Sequence, residues 1–243
     1  MLVDAHIHIP ACLDHSFSLS PNSLYLSSSA SLEEFDAHNS LKPHNNTLLS
    51  AGIHPWYLDR LDCETIESWA LKGKIHAIGE CGIDLYTPEL AKNKNRQKEL
   101  FANQIAIAKS YHLPLVIHER KGLNEILQFS KELSQLPGVI FHSWNNSPEQ
   151  IGRILHKNIN AFFSVGTTTL RNSKKSKKNI SAIPLNHLLS ETDAPFQPPR
   201  YESLTHPGIL SAIVGMISTI KKSQRKTIEA QIARNFTNLL IKN

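Results

Sequence analysis

Short apolar runs alternate with longer amphipathic segments along most of the chain. Between the apolar runs, hydrophobic residues recur at helical spacing, most clearly over residues 97–112 and 225–241. This alternation is typical of a parallel sheet whose strands are joined by crossover helices. The predicted strands cover residues 2–8, 24–26, 48–54, 75–79, 113–118, 139–142, 161–165 and 188–191.

Eight strand–helix units predict an α/β fold, a (β/α)8 barrel of the TIM type. The chain has 243 residues, and one barrel of roughly 250 residues would use all of them. Residues 9–47 are rich in Ser, Asn and Pro and contain only the weak strand at 24–26 and a short helix near 32–38. We therefore expect an abbreviated first crossover. Because neither an internal repeat nor a Gly-, Ser- or Pro-rich linker divides the chain, we expect a single domain over residues 1–243.

Composition limits the possible classes of protein. The fractions of hydrophobic residues (40%) and charged residues (19%) are those of an ordinary globular chain. No apolar run reaches the roughly 18 residues of a membrane helix, and the first residues do not resemble a signal peptide. We therefore expect a cytoplasmic location, no membrane association and no obligate protein partner.

Cysteine and charge restrict the chemistry further. Cys12, Cys63 and Cys81 are far apart and form no CxxC pair, which argues against a disulfide framework and against a cysteine zinc site. A metal site would have to use His, Asp and Glu. The net charge of +5 and the pI near 9.1 favour an anionic substrate, although many basic proteins bind no nucleic acid.

Ionisable residues stand at the carboxyl ends of several predicted strands, where the active sites of barrels are assembled. His6 and His8 are two positions apart on the first strand, so both side chains point to the same side. One such pair is expected by chance, and each residue alone could be a hydrogen-bonded structural residue. Together they form a set that predicts a metal site: His6, His8, Glu80, His118, His142 and Asp193.

Four imidazoles and two carboxylates exceed the needs of one tetrahedral cation. Two divalent cations (Mg, Mn or Zn) that share a carboxylate use all six donors, and such a pair can activate water and polarise a phosphoryl oxygen. The sequence therefore predicts a hydrolase.

Five segments resemble the TatD family of metal-dependent DNases, within the amidohydrolase superfamily. They occur in the family's order along the chain, and Gln97, Phe101, Gln104 and Asn235 resemble further family positions. The segments are DAHIH at 4–8, GIHPW at 52–56, GECGID at 79–84, LPLVIH at 113–118 and ETDAP at 191–195.

The resemblance implies a deoxyribonuclease in which each ligand has a role. His6, His8, Glu80 and Asp193 would hold one cation, while Glu80 would bridge to a second cation held by two histidines. Asp193 and Glu80 are the expected catalytic residues, and Asp193 would orient or deprotonate the attacking water. The histidines of the second cation would be His118 and His142.

The chain departs from the family pattern at the rim of the site. After His118 the family has Arg then Asp, whereas this chain has Glu119, Arg120, Lys121 and Gly122, and residues 143–146 replace a usual Phe-Ser-Gly. None of these positions is an expected ligand. The departures therefore bear on substrate choice and not on the metal site.

Further residues are candidates for binding substrate. His54 ends the third strand and would either bind substrate or cap the barrel mouth, and Asp84 would orient a ligand. A basic stretch after the seventh strand would lie in a loop on the catalytic face, where it would bind phosphate or remain a solvated loop. The candidate phosphate-binding side chains are Arg120, Lys121, Arg171, Lys174, Lys175, Lys177, Lys178 and Arg200.

Two other functions remain open from the sequence. Fold and metals do not fix the substrate, so a hydrolase of a small ester, lactone or amide is the alternative within the same superfamily. A nucleic-acid-binding protein with an inactive site is disfavoured because all six expected ligands are present.

Overall fold

The fold is organised around one eight-stranded sheet. A computed structural model describes residues 1–40, 46–171 and 173–241. The strands are all parallel and lie in the order in which they follow one another along the chain. They are β1 (Leu2–Ile7), β2 (Ser23–Ser29), β3 (Thr47–Ala51), β4 (Ala77–Asp84), β5 (Leu115–Arg120), β6 (Val139–Phe141), β7 (Ala161–Val165) and β8 (Leu188–Ser190).

Helices connect successive strands, and two long helices follow β8. Within the described residues, no helix is both long enough and apolar enough to cross a membrane. The helices are α1 (Ile9–Asp14), α2 (Leu32–Ser40), α3 (Cys63–Leu71), α4 (Pro88–Lys92), α5 (Lys94–Ser110), α6 (Leu123–Ile126), α7 (Ser130–Leu133), α8 (Pro148–Leu155), α9 (Lys174–Ala182), α10 (Leu210–Lys221) and α11 (Arg225–Leu240).

Strands β1 and β8 come together to make a nearly closed barrel. The Asp193 main-chain N–H donates to the His6 carbonyl (2.9 Å), and the His8 N–H donates to the Ala194 carbonyl (2.8 Å). The Ser190 hydroxyl also donates to a carbonyl of β1 at 2.7 Å. The predicted (β/α)8 barrel is therefore confirmed, and these bonds bring the residues after β8 against His6 and His8.

The first crossover is short, as predicted. Helix α1 has six residues, and an irregular segment leads from it to β2. Pro10 fits the first turn of α1, where its missing N–H has no helical partner in any case. The helix predicted near residues 32–38 is α2. Residues 41–45, which belong to the same Ser- and Asn-rich region, lie outside the described residues.

Glu80 and His118 lie inside their strands, and the prediction that they end those strands is wrong. Strand β4 continues to Asp84 and β5 continues to Arg120. All eight residues of β4 are buried, so polar residues in this strand do not mark its end. The hydrophobic run used for the prediction therefore stops earlier than the strand does.

Two glycines allow β4 to approach β5 closely around Glu80. Gly79 and Gly82 have φ angles of +129° and +140°, a region that residues with a Cβ rarely adopt. A Cβ on Gly79 would collide with the main chain of Val116, and one on Gly82 would collide with that of His118. The close approach extends the strand pairing beyond the apolar run and places Glu80 beside β5.

Buried amide side chains fix the segments that carry polar residues to the site. Gln97 accepts from the Asp84 N–H (2.9 Å) and donates to the Asp84 carbonyl (3.1 Å). Gln104 accepts from the Ile53 N–H (2.7 Å) and donates to the Ile53 carbonyl (3.3 Å). Asn235 donates to the first carbonyl of β8 (2.8 Å). Helices α5 and α11 thus hold the strand ends through main-chain groups that would otherwise lack partners.

Candidate metal centre

Two carboxylates and two imidazoles meet at the carboxyl ends of β1 and β8 and beside β4. Glu80 Oε1 lies 3.0 Å from His6 Nε2 and 3.4 Å from His8 Nε2. Asp193 Oδ1 lies 3.4 Å and 3.5 Å from the same two nitrogens. These four atoms, from His6, His8, Glu80 and Asp193, are called the first donor group.

The other oxygen of Glu80 faces a second set of imidazoles. Glu80 Oε2 lies 3.0 Å from His142 Nε2 and 3.7 Å from His118 Nδ1, and those two nitrogens are 3.2 Å apart. These three atoms are called the second donor group. The structure therefore brings all six predicted ligands together, with one oxygen of Glu80 in each group.

The spacing of these atoms fits divalent cations. A cation with bonds of about 2.0–2.2 Å and ligand angles between those of an octahedron and a tetrahedron separates neighbouring ligand atoms by roughly 3.0–3.5 Å. The four distances between imidazole nitrogens and carboxylate oxygens in the first donor group have that spacing. His6 Nε2 is also buried and makes no hydrogen bond of acceptable geometry among the described residues, although two carboxylate oxygens lie within 3.4 Å of it, and a cation bound between these atoms would explain this. Three overlapping sets of side chains are close enough to hold a cation: His6 with His8 and Asp193, Glu80 with His6 and His142, and Glu80 with His54 and His118.

The far nitrogens of the histidines indicate which nitrogen is free to bind a cation. His118 Nε2 lies 3.0 Å from Asp84 Oδ2, and a carboxylate only accepts, so Nε2 donates and Nδ1 keeps its lone pair. His6 Nδ1 lies 3.2 Å from the Ser28 hydroxyl, which can accept its proton. Partners of this kind hold metal-binding imidazoles in one tautomer.

His54 has the opposite tautomer. The Trp56 main-chain N–H donates to His54 Nδ1 (3.1 Å), and burial lowers the pKa of His54 to about 3, so the ring is neutral. The single ring proton is then on Nε2, which lies 3.3 Å from His118 Nδ1. Although His54 Nε2 is close enough to join a cluster with Glu80 and His118, a protonated nitrogen cannot coordinate a metal. His54 instead directs an N–H group into the site.

Charge outweighs burial for the ionisable groups of both donor groups. Burial alone would lower the pKa of His8, but the hydrogen bonds that it donates to Asp193 and Glu80, and the negative charges of these carboxylates, raise it to about 10. The pKa of His142 is likewise well above its ordinary value, because the charge of Glu80 overcomes burial. Burial would raise the pKa of Glu80, but the charges of His6 and His142 hold it well below its usual range. A bound cation would therefore have to displace protons from the imidazoles.

Gln197 fixes the orientation of the Asp193 carboxylate. Its side-chain amide donates to Asp193 Oδ2 (2.7 Å), which leaves Oδ1 facing the two histidines of β1. Asp193 has a φ of +56°, Gln197 a φ of +50° and Ser143 a φ of +49°. Non-glycine residues seldom adopt this left-handed region, and such backbone strain is concentrated at functional sites.

The predicted substrate-binding residue Arg120 lies on the rim. Its guanidinium is 3.3 Å from the centre of the Tyr86 ring, and the Lys121 ammonium is 4.7 Å from the same centre. The side chains of Arg120 and Lys121 are both exposed. Arg120 is the last residue of β5, the strand that carries His118, and Lys121 follows it, so both can reach an anionic substrate at the mouth of the barrel.

The basic stretch does not form the predicted loop. Lys174, Lys175, Lys177 and Lys178 belong to α9, whose first turn is capped by the Ser173 hydroxyl accepting from the main-chain N–H of residue 176 (3.1 Å). All four ammonium-bearing side chains are exposed. Lys178 lies 3.7 Å from a carboxylate of α8, so it faces the neighbouring helix on the outside of the barrel. Arg171 ends a 3₁₀ turn just before α9.

Three polar or aromatic residues of the site were not predicted from the sequence. Gln197 contacts Asp193, Trp56 donates its indole N–H to Asp84 Oδ2 (2.8 Å), and Glu191 lies 3.8 Å from His142 Nδ1. Glu191 and Trp56 stand within the segments that resemble the family. Their position beside expected ligands was the signal that could have identified them.

A nearly closed (β/α)8 barrel with imidazoles and carboxylates gathered at the carboxyl ends of its strands defines the class of metal-dependent hydrolases. Comparison with protein families identifies the particular one. The model of the family described as "TatD related DNase" matches residues 3–241. The chain belongs to this family.

Individual relatives agree with the family assignment. An uncharacterized metal-dependent hydrolase of Buchnera aphidicola is 30% identical over 205 residues, which cover 82% of this chain and 76% of that protein. The 3'-5' ssDNA/RNA exonuclease TatD of Klebsiella pneumoniae is 26% identical over 206 residues, or 78% of this chain and 75% of that protein. The crystal structure of YjjV, a TatD homolog from Escherichia coli K12, has the same fold, with a TM-score of 0.86, 22% identity and coverage of 100% and 98%.

Proposed function

We propose that the chain is a single-domain deoxyribonuclease that hydrolyses phosphodiester bonds with two divalent cations. One observation carries the proposal: the two oxygens of Glu80 face different donor groups, Oε1 toward His6 and Oε2 toward His142, each at 3.0 Å. A carboxylate held between two sets of imidazoles in this way would serve two cations at once, and a pair of cations supplies the chemistry of phosphodiester hydrolysis.

The six donors divide between the cations according to the two groups. His6, His8, Asp193 and Glu80 would hold the first cation. His118 and His142 would hold the second together with Glu80. When bound, the cations lower the pKa of water and stabilise negative charge on a phosphoryl group. Three protein donors at the second position leave room for substrate, as catalytic sites require.

Residues of the chain orient and deprotonate the attacking water. Asp193 Oδ1 faces the site while Gln197 holds Oδ2 at 2.7 Å, so the carboxylate can accept a proton from water without rotating. The Nε2–H group of His54 lies 3.3 Å from His118 Nδ1 and would donate a hydrogen bond to a phosphoryl oxygen bound there. Arg120 and Lys121 bind phosphates beyond the scissile bond.

Charge and relationship favour a nucleic acid as substrate. The net charge of +5 suits a polyanion, and the Klebsiella pneumoniae relative is named a 3'-5' ssDNA/RNA exonuclease. Neither Arg120 nor Lys121 has a carboxylate partner among the described residues. Both of these side chains are therefore available to bind phosphate.

A nuclease assay on metal-depleted and reloaded enzyme tests the proposal. The enzyme is stripped with chelator, and Mg²⁺, Mn²⁺ or Zn²⁺ is added to single-stranded DNA, double-stranded DNA and RNA. We expect cleavage that depends on added metal and that is absent from Asp193→Asn purified in the same way, which controls for contaminating nucleases. Cleavage of a panel of carboxyl esters, lactones or amides in place of every nucleic acid would instead support the small-substrate hydrolase and overturn the proposal.

A further inference from the structure

Exposed aromatic side chains are concentrated at the catalytic end of the barrel. In the part of the chain that the structure describes, all of them follow β3, β4 or β8, the strands that lead to the site. Exposed aromatic surface confined to one face indicates a binding face, because a protein gains nothing from leaving it in water. These residues are Trp56, Tyr57, Tyr86, Phe196 and Tyr201.

Two of these rings stand beside different donor groups. The Phe196 ring lies 4.9 Å from the His8 ring, centre to centre, and is 50% exposed. The Trp56 ring lies 5.7 Å from the His118 ring and is 46% exposed. Phe196 is therefore next to the first donor group, and Trp56 is next to the second.

Hydrogen bonds hold the Trp56 ring and the backbone of Phe196. The main-chain N–H of Phe196 donates to the Asp193 carbonyl at 2.7 Å, which fixes the point from which its ring extends. The Trp56 indole N–H donates to Asp84 at 2.8 Å, so the polar edge of the ring is satisfied. A ring anchored as Trp56 is loses less conformational freedom when it binds a flat ligand.

We infer that Phe196 and Trp56 stack against the two nucleobases that flank the scissile phosphodiester. The inference rests on the proposed function, since it takes the scissile phosphate to lie on the two cations. A phosphodiester there extends one nucleoside toward each donor group, and an aromatic ring stands at each. Arg120, which lies against Tyr86, follows Trp56 along the same rim and binds the next phosphate.

Stacking of this kind selects unpaired bases and ignores their identity. Every base has an aromatic face, so aromatic platforms bind single strands with little sequence preference. In a duplex both faces of each base are covered by neighbouring pairs. The enzyme should therefore cleave single strands and frayed ends in preference to intact duplex.

Oligonucleotides with and without bases test the inference. The value of kcat/KM of the metal-loaded enzyme is measured on a thymidine pentanucleotide and on an abasic pentanucleotide of the same backbone. We expect the parent to prefer the base-containing strand by about 10-fold or more. Phe196→Leu, which keeps an apolar side chain but removes the ring, should lower kcat/KM about 10-fold on the thymidine strand and less than about twofold on the abasic strand.

Conservative variants separate stacking from structural effects. Phe196→Tyr should behave like the parent. Trp56→Leu also removes a hydrogen bond to Asp84, so kcat/KM should fall on both substrates, and more on the thymidine strand. Trp56→Phe, which keeps an aromatic ring, should restore the parental preference for the thymidine strand over the abasic strand. Equal cleavage of both strands by the parent, or an equal loss on both for Phe196→Leu, would overturn the stacking alone. Failure of the parent to cleave either strand would overturn the proposed function and the inference with it.

An independent observation concerns the loops that meet at Gln197. Its side-chain carbonyl accepts from the Ser143 hydroxyl (2.8 Å), and its main-chain carbonyl accepts from the Thr167 hydroxyl (2.8 Å). Its amide nitrogen faces Asp193, and because a carboxylate only accepts, this orientation of the amide is fixed. Loops after β6, β7 and β8 thus join at one residue.

We also infer that Gln197 is a positioning residue that sets the affinity of the first cation through Asp193. Gln197→Leu should weaken cation binding, measured by calorimetric titration, by about 10- to 100-fold and lower kcat similarly. Thr167→Val removes a hydrogen bond between loops but leaves the amide on Asp193, so it should change neither value by more than about twofold. Equal cation affinity in the parent and Gln197→Leu, or equal losses in Gln197→Leu and Thr167→Val, would show that Gln197 only ties the loops.

Discussion

The two donor groups share Glu80 but differ in composition. The first has two carboxylates and two imidazoles, with four donor atoms at mutual distances of 3.0–3.5 Å where imidazoles face carboxylates. The second has one carboxylate and the two imidazoles of His118 and His142, and the nearby His54 contributes an N–H group. The first group can enclose a cation, whereas the second leaves space and a hydrogen-bond donor for substrate.

The contrast between His54 and His118 shows what decides the role of a histidine. Their facing nitrogens are 3.3 Å apart, yet one is protonated and the other carries a lone pair. A main-chain N–H behind His54 and the Asp84 carboxylate behind His118 impose the difference. Residue type is the same for both, and it does not distinguish their roles.

Removal of the shared carboxylate should have the largest effect. Glu80→Ala takes an oxygen from both groups, so kcat/KM on single-stranded DNA should fall by roughly 10³-fold or more. Circular dichroism should show that the fold survives. The exposed Glu89→Ala is the matched control and should retain full activity. A Glu80→Ala enzyme with more than about a tenth of parental activity would be inconsistent with a bridging carboxylate.

Substitution of the two neighbouring histidines should separate their roles. His118→Gln should lose one of two bound cations, because it removes a donor nitrogen. His54→Gln should keep both cations and lower kcat by about 10²-fold, the usual effect of removing one hydrogen-bond donor to the transition state. Metal content is measured by elemental analysis after dialysis. Loss of a cation from His54→Gln would show that His54 is a metal ligand and would contradict the difference in role between His54 and His118.

The affinity for cations should fall as the pH falls. The pKa of His8 is raised to about 10 and that of His142 well above its ordinary value, so protons occupy these nitrogens at neutral pH and must leave when a cation binds. Below the raised pKa values, each displaced proton lowers the apparent affinity by up to about tenfold per pH unit. Calorimetric titration between pH 6.5 and 8.5 measures this slope. An affinity independent of pH would exclude proton displacement.

The lysines of α9 should have the smallest effect. Replacing Lys174, Lys175, Lys177 and Lys178 by Ser should weaken oligonucleotide binding a few-fold and flatten its salt dependence, by about 0.7 in slope for each phosphate that a lysine no longer neutralises. Turnover of a minimal phosphodiester should not change. The control replaces four exposed lysines at the other end of the barrel. Equal salt slopes in the variant and the control would show that the lysines of α9 bind no phosphate and that α9 is a solvated helix. The control positions are Lys72, Lys74, Lys109 and Lys157.

Periodicity predicted the barrel and the convergence of the six donors because side-chain direction alternates along a strand and parallel strands end at one face. His6 and His8 illustrate this, since a spacing of two residues brings both rings to one side even though β1 ends at Ile7, one residue before His8. The ends of β4 were not predictable in the same way. Two glycines let that strand continue past Glu80, and close strand approach has no hydrophobic signature.

Contacts that depend on loop conformation could not be predicted from the pattern of hydrophobic and polar residues. Gln197 reaches Asp193 only because both residues adopt left-handed backbone conformations. The tautomer of His54 depends on one main-chain N–H. Helix α9 was missed although Ser173 before a basic, Ile180-containing segment is a typical N-cap signal.

The number of cations bound per chain tests the central claim most directly. Metal-depleted enzyme is titrated with Mn²⁺ and Zn²⁺ at pH 8, and bound metal is counted by calorimetry and by elemental analysis after gel filtration. The two donor groups predict two cations per chain in the parent, and one at most in His118→Gln. A single cation in the parent, with Glu80→Ala binding it equally well, would contradict a two-metal site bridged by Glu80.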